Sequence, residues 1–216
     1  MTFQERLAEK KKKVEGNLSP SYVKILHRAT RELQRSGLEK KVLKAGDEMP
    51  PFQLPDQNGS MKSSAEALKE GPLVITFYRG FWCPYCNIDL ANLNHYVPRF
   101  NEQGATMFTI SPEKSEYSRK IIAMQRLSFD ILWDEGNQLA GQFNLKFSLP
   151  EDLKALYRDK FSINLKMYHG DDEWALPMPA RFLVDQDGMI RYAESSADYT
   201  RRPDPDDLLK VLESLT

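Results

Sequence analysis

The sequence predicts an α/β fold, a central mixed sheet flanked by helices with a helical extension at the N-terminus. Three observations predict it. Short strand-like runs, the first of them β-branched and uncharged, alternate with segments of helical spacing between residues 73 and 133, the pattern of parallel strands joined by crossover helices. A Cys-x-x-Cys pair, Cys83 and Cys86, stands where the first of those runs meets a helix, and two further runs around Asp187-Gly188 form a closing hairpin.

Residues 1–44 read as a polar helical arm. Phe3, Leu7 and Val14 recur at near-helical spacing until Gly16-Asn17 breaks the pattern. Ser19-Pro20 reads as an N-cap followed by proline at the first helical position. Tyr22, Val23, Ile25, Leu26 and Leu33 then make one apolar face of a basic helix that Gly37 ends. That face is weak and interrupted by glutamate, so it is expected to pack on the domain, or on the second subunit of a homodimer, rather than on a membrane.

Gly46-Asp47 and Pro50-Pro51 open a second unit, 45–216. Residues 52–62 alternate and turn at Asn58-Gly59, a β-hairpin. The run 73–78 is a buried strand leading into Arg79-Gly80-Phe81-Trp82-Cys83-Pro84-Tyr85-Cys86 and a helix bearing Ile88, Leu90, Leu93, Tyr96 and Val97. Residues 105–110 are the next strand, Ile121, Ile122 and Met124 mark a helix, and 129–133 is a third strand. Residues 144–175 do not fit a simple connection and read as an insertion containing a helix begun by Pro150, with His169 in a turn. Strands 181–184 and 189–193 follow, and Asp204-Pro205 starts the last helix, with Leu208, Leu209, Val211, Leu212 and Leu215.

Charge and cysteine content narrow the function classes. Lys+Arg number 30 and Asp+Glu 31, a net charge of −1 with no global drive toward nucleic acid or acidic lipid. No apolar run approaches the roughly 20 residues that span a bilayer. MTFQERLAEKKKK carries no apolar stretch after its basic residues, so no secretory signal is expected and the cytoplasm is the expected location. Two cysteines are too few for a disulfide scaffold. His27, His95 and His169 are scattered without ligand spacing, so neither a metal nor any other cofactor is expected.

The pair itself suggests redox chemistry. A thiol at a helix N-terminus faces unpaired backbone N–H groups and the positive end of the macrodipole, which lower its pKa, and the thiolate is the nucleophile. Cys86 lies about one turn on, on the same face, within reach of disulfide geometry and deeper in the helix. Pro84 is tolerated because its missing N–H would be unpaired there. Phe81, Trp82 and Tyr85 either shield the thiols and meet a partner or simply belong to the core.

Trp82-Cys83-x-x-Cys86 resembles the thioredoxin active site, and Cys83-Pro84-Tyr85-Cys86 the glutaredoxin one. The wider frame resembles the peroxiredoxin-like branch of the alkyl hydroperoxide reductase/thiol-specific antioxidant superfamily. The matching segments are Ala45-Gly46-Asp47 with Pro51-Phe52-x-Leu54, Phe77-Tyr78-Arg79-Gly80-x-Trp82-Cys83-Pro84-x-Cys86, Ile110-Ser111-Pro112-Glu113 and Pro179-x-x-Phe182-Leu183-Val184-Asp185-x-x-Gly188. The resemblance covers roughly 45–216 and implies a thioredoxin-like fold, with Cys83 as the attacking and Cys86 as the resolving thiol. It also places Pro179 at the cis-proline of thioredoxins, which would set the Met178 backbone beside Cys83 to pair with substrate.

Departures from the family pattern leave its peroxide-binding cluster incomplete. Thr76 and Gly80 stand at the proline and threonine positions, and Pro179 where an activating arginine is expected. Arg79 and Arg181 are substitutes for that cation, although each reads first as a solvated or surface-paired arginine. Arg201-Arg202 reads as packing or as an anion binder. The strand 73–78 carries no acid to relay protons, leaving water, backbone or Asp89. The expected function is hydroperoxide reduction, with a thioredoxin- or glutathione-type reductant. The alternatives are a protein disulfide reductase using the same pair and a redox-switched binding module.

Overall fold

The computed structural model describes residues 1–215. Helices α1 (Phe3–Gly16) and α2 (Pro20–Arg35) open the chain, followed by one turn, α3 (Leu38–Lys41). A capping box starts α1: the Thr2 hydroxyl accepts from the Glu5 amide, and the Glu5 carboxylate accepts from the Thr2 amide. Ser19 precedes α2 without capping it through its side chain, and Gly37, at φ +74°, takes the left-handed position just beyond the helix end.

A hairpin of β1 (Gln53–Pro55) and β2 (Met61–Ser63) follows, its turn held by Asp56 Oδ1, which accepts from the Asn58 and Ser60 amides. Ser63 then caps α4 (Ser64–Glu70), a helix too short to show helical periodicity in the sequence. The crossover region comes next: β3 (Leu73–Phe77), α5 (Pro84–Asn94), α6 (Val97–Glu102), β4 (Thr106–Ser111), α7 (Ser115–Gln125) and β5 (Asp130–Trp133). Beyond a 3₁₀ turn at Glu135–Asn137 lie α8 (Gln138–Gln142), β6 (Lys146–Ser148), α9 (Glu151–Lys160), α10 (Leu165–His169) and β7 (Ala175–Pro177). Strands β8 (Ala180–Val184) and β9 (Ile190–Ser195) and helix α11 (Pro205–Glu213) complete the chain.

The main sheet has the order β5-β4-β3-β8-β9. β3, β4 and β5 run parallel, while β8 is antiparallel to β3, and β9 to β8. This is the mixed sheet that the sequence predicts, in a thioredoxin-like arrangement. The segment 144–175 is an excursion with its own order: β6 and β7 pair antiparallel, and α9 and α10 fill the span between them.

β3 is buried along its whole length, and its side chains alternate between two apolar layers. Leu73, Ile75 and Phe77 join Phe108, Leu132, Phe143 and Phe182 on one face of the sheet. Val74 and Tyr78 join Cys83, Cys86, Leu90, Leu209 and Leu212 on the other, and Leu7 of α1 lies among them at 3% exposure. α2 packs on α9 through Leu26, Leu153 and Leu156. Both helices of the N-terminal segment therefore pack on the body of their own chain.

Leu7→Ala removes a fully buried side chain from the layer that contains the cysteines. It is expected to cost about 2–5 kcal/mol of stability, read as a lower urea midpoint at unchanged m-value.

Candidate active site

The end of β3 delivers the loop from Tyr78 to Trp82 to the start of α5. Gly80, at φ +149°, makes the bend, and a Cβ there would lie 2.5 Å from Trp82 Nε1 and 2.6 Å from Glu113 Oε1, so no larger residue fits. Cys83 occupies the N-cap of α5 and its sulfur accepts from the Cys86 amide at 3.4 Å, with Pro84 in the first turn. Both cysteines are free thiols, at 1% and 0% exposure.

Two buried guanidinium groups flank the sulfurs. Arg79, 2% exposed, bonds the Tyr157 hydroxyl and lies over the rings of Trp82 and Tyr199, at 5.0 and 4.4 Å from their centroids. Arg202, 4% exposed, sets Nη2 3.0 Å from Cys86 Sγ and 4.0 Å from Cys83 Sγ, while Nη1 donates to the carbonyls of Tyr199 and Arg201. Behind it, Asp89 stands 3.4 Å from Arg202 Nε and accepts from Arg181 Nη2 at 2.7 Å. Arg181, fully buried, also donates to the Thr76 hydroxyl and to the Pro203 carbonyl. An alternating line of charge thus runs from the sulfurs through Arg202 and Asp89 to Arg181.

These surroundings separate the two thiols. Burial pushes Cys83 up, but the Cys86 S–H, Arg79, Arg202 and the Cys86 amide together bring it well below the ordinary thiol range. Burial, the hydrogen bond to Cys83 and the charge on Cys83 push Cys86 up, against the pull of Arg202 and Arg79. One sulfur is held as the anion and the other as the thiol.

A buried acid faces the same loop. Glu113, just beyond β4 and fully buried, accepts from the Phe81 amide through Oε2 at 2.7 Å. Its Oε1 has no partner among the described residues, nor has Trp82 Nε1. Burial raises the carboxyl to about 8, the Phe81 amide opposing and the charge of Cys83 adding to the rise. At neutral pH Glu113 is therefore an un-ionised acid.

A cavity of about 330 Å³ lies over Cys83. Val14 and Leu26 from the N-terminal helices and Tyr157, Phe161 and Ile163 from the 144–175 excursion wall it, with Arg79, Trp82 and Tyr199. The thiols therefore sit beneath the two regions of the chain that plain thioredoxin architecture does not supply.

The family model described as AhpC/TSA family matches residues 45–193, more than half of the chain. The chain belongs to the AhpC/TSA family. A putative peroxiredoxin of Mycobacterium tuberculosis is 29% identical over 122 residues, covering 56% of this chain and 79% of the relative. The chloroplastic peroxiredoxin Q of Sedum lineare is 26% identical over 183 residues, covering 85% and 84%. Among solved structures, peroxidoxin BcpB of Mycobacterium tuberculosis superimposes with a TM-score of 0.63 at 23% identity, over 81% of this chain and 99% of that one. This AhpC/TSA protein is thus a thiol-dependent oxidoreductase of the peroxiredoxin-like branch.

Several expectations for this AhpC/TSA chain need correction. The peptide bond before Pro179 is trans, as is every other among the described residues. Met178 is buried in the layer on the opposite face of the sheet from the cysteines, and its amide donates to the Leu145 carbonyl at 2.9 Å. The pairing of the chain around β7 with that around β6 uses the backbone donor that a substrate would need. Arg79 and Arg181 are buried rather than solvated, because aromatic rings and Asp89 give their charges partners inside the protein. Asp89 is buried between two arginines. His169 ends α10 and is buried, its ring driven down to about 4 by burial. Tyr85 and Trp82 both pack edge-on to tyrosines, Tyr199 and Tyr157, beside the thiols.

The structure brings Arg79, Gly80, Trp82, Cys83, Pro84, Tyr85 and Cys86 together, whereas the Met178 side chain joins the opposite apolar layer. Sequence reasoning missed Arg202, Glu113, Tyr157 and Tyr199 as site residues. Two of them carried a signal: Arg202 in an arginine pair suited to an anion, and Glu113 within the segment Ile110-Ser111-Pro112-Glu113.

Cys83 is expected to react with iodoacetamide with a pH midpoint below about 7, against about 8.5 for a free cysteine. Since the thiolate is the reactive form, labelling should fade as pH falls through that midpoint, and Arg202→Met should move the midpoint upward. Labelling rates measured between pH 4 and 9, with the modified peptide identified by mass, check both.

Proposed function

We propose that this protein reduces hydroperoxides, with Cys83 as the attacking thiolate, Cys86 as the resolving thiol and an external dithiol of thioredoxin or glutathione type as reductant. The observation that carries the reading is the split between two buried sulfurs one helical turn apart, one favoured as the anion and the other as the thiol. The Cys83 sulfur attacks the nearer peroxide oxygen, the O–O bond breaks, and Cys83 becomes a sulfenic acid while the other oxygen leaves as alkoxide or hydroxide. That leaving oxygen needs a proton. Glu113 carries one at neutral pH and turns an unpartnered oxygen toward Gly80, so it serves as the donor.

Resolution follows from the same electrostatics. Once Cys83 is a neutral sulfenic acid, its charge no longer holds the Cys86 proton in place, and Arg202 at 3.0 Å favours the Cys86 thiolate. That thiolate attacks the Cys83 sulfur, a disulfide forms and water leaves. The external dithiol then reduces the disulfide by exchange, and a reducing compartment such as the cytoplasm maintains the supply.

The geometry favours a peroxide over a protein disulfide as the oxidant. Cys83 is 1% exposed beneath the cavity walls, which admits a small molecule and obstructs a folded partner. The Met178 amide, the pairing point for a bound peptide in the disulfide reading, is already used.

Stopped-flow oxidation of the reduced protein should be fast with hydrogen peroxide or an organic hydroperoxide and slow with a protein disulfide. The reverse order would overturn the proposal. Cys83→Ser should abolish the reaction, and Cys86→Ser should allow one oxidation per chain without an intramolecular disulfide.

Glu113→Gln should slow peroxide oxidation by about 10²-fold or more. In the unsubstituted protein the rate should fall as pH rises through about 8, where the acid loses its proton, and Glu113→Gln should remove that fall.

A further inference from the structure

The counter-ion of Arg79 is a reacting atom. The guanidinium is buried, its hydrogen bond goes to the Tyr157 hydroxyl, and it lies over the rings of Trp82, Tyr157 and Tyr199. Among the described residues it pairs with no carboxylate, and the anion that faces it is the Cys83 thiolate. Arg202 differs, since it keeps Asp89 and two backbone carbonyls whatever the state of the sulfurs. Joining Cys83 to Cys86 as a disulfide removes the thiolate charge and leaves Arg79 enclosed without an anion. A buried charge that loses its partner is strongly destabilising.

The packing around Arg79 shows where that cost is relieved. Trp82 belongs to the loop that Glu113 holds at the Phe81 amide, and Tyr199 to a segment that Arg202 grips through the Tyr199 carbonyl. Tyr157 stands on α9, which has empty space on both sides. A cavity of about 490 Å³ between α9 and α2 is lined by Leu153 and Tyr157, and the one over Cys83 by Tyr157, Phe161 and Ile163. Side chains that face empty space forfeit dispersion contacts, so α9 is the less firmly held wall. Residues 150–163 are tied down beyond both ends: the Leu149 amide donates to the Trp174 carbonyl at 2.8 Å, and the Lys114 amide to the Tyr168 carbonyl at 3.0 Å. Between those ties, Arg79 fastens the segment to the active site through Tyr157.

We propose that residues 150–163 form a redox-gated lid, closed over Cys83 while the thiolate neutralises Arg79 and released when the disulfide forms, so that water reaches the guanidinium. The inference rests on the thiol–disulfide cycle proposed above and gives its enclosed site a way to meet the reductant. Closed, the walls that obstruct a protein disulfide equally obstruct a protein dithiol. Open, they expose the disulfide, and reduction restores the thiolate and recloses the lid. α5 stays folded throughout, because sulfurs three residues apart at its start bond without unwinding it.

Hydrogen exchange of the full-length protein, read by mass on peptides from 150–163 and from α5, follows the lid and the cysteine helix separately. The disulfide is made with diamide, which takes two electrons from the sulfurs, the Cys86 proton and a second proton from solvent, and becomes the hydrazine. No peroxide takes part, so failure of peroxide reduction and failure of the lid are separate results. Amides of 150–163 should exchange at least about tenfold faster in the disulfide form than in the reduced form, with α5 unchanged. Reduced Cys83→Ser, which removes the charge and forms no disulfide, should exchange like the oxidised protein. Arg79→Met should make exchange in 150–163 independent of redox state. The proposal is overturned if 150–163 exchanges equally in both states, if the change falls in α5 alone, if Cys83→Ser stays protected, or if Arg79→Met keeps the redox difference. Should Arg79→Met fail to fold, Cys83→Ser decides alone.

Discussion

The site depends on keeping a negative sulfur inside protein. Transferring a thiolate out of water is costly, and Cys83 is almost wholly enclosed. The cost is offset by two guanidinium groups and two donors from Cys86, its amide and its S–H. Neither arginine is free to approach the sulfur by chance: Arg79 is gripped by the rings around it, and Arg202 by backbone carbonyls and Asp89. The cations are in place before any substrate arrives, so no reorganisation is needed when charge shifts during reaction.

That requirement explains the polar interior. Arg181 never touches sulfur, yet it is entirely buried and bonded to Asp89, Thr76 and Pro203. Removing one member of such a chain leaves an uncompensated charge in the core. Thr76, where the family pattern has proline, contributes a hydroxyl that holds Arg181 and through it the Asp89 carboxylate facing Arg202. The departure from the family pattern is thus tied to a different way of holding the cation.

The N-terminal helices and the 144–175 excursion share the task of enclosing this interior. Leu7 packs in the layer of the cysteines, while Leu26 and Tyr157 line the space over Cys83. A thioredoxin-like sheet alone would leave the start of α5 open. Here the added segments make a low-dielectric enclosure, in which a hydrogen bond or ion pair is stronger than in water and an unpaired group more costly.

Local chemistry determined a good deal by itself. The strand order of types from β3 to β5, the closing hairpin and the start of α5 follow from period, turn residues and proline placement, all properties of a few neighbouring residues. The pairing of Cys83 with Cys86 was legible for the same reason, since three residues along a helix set the spacing. Only the tertiary structure decided which charges surround them. Arg202 lies more than a hundred positions beyond Cys83, and Tyr157 and Glu113 reach the site from separate elements, so no local pattern marks their convergence. The same holds for Met178: its occupied amide follows from pairing with a distant segment, which residue type at that position does not encode.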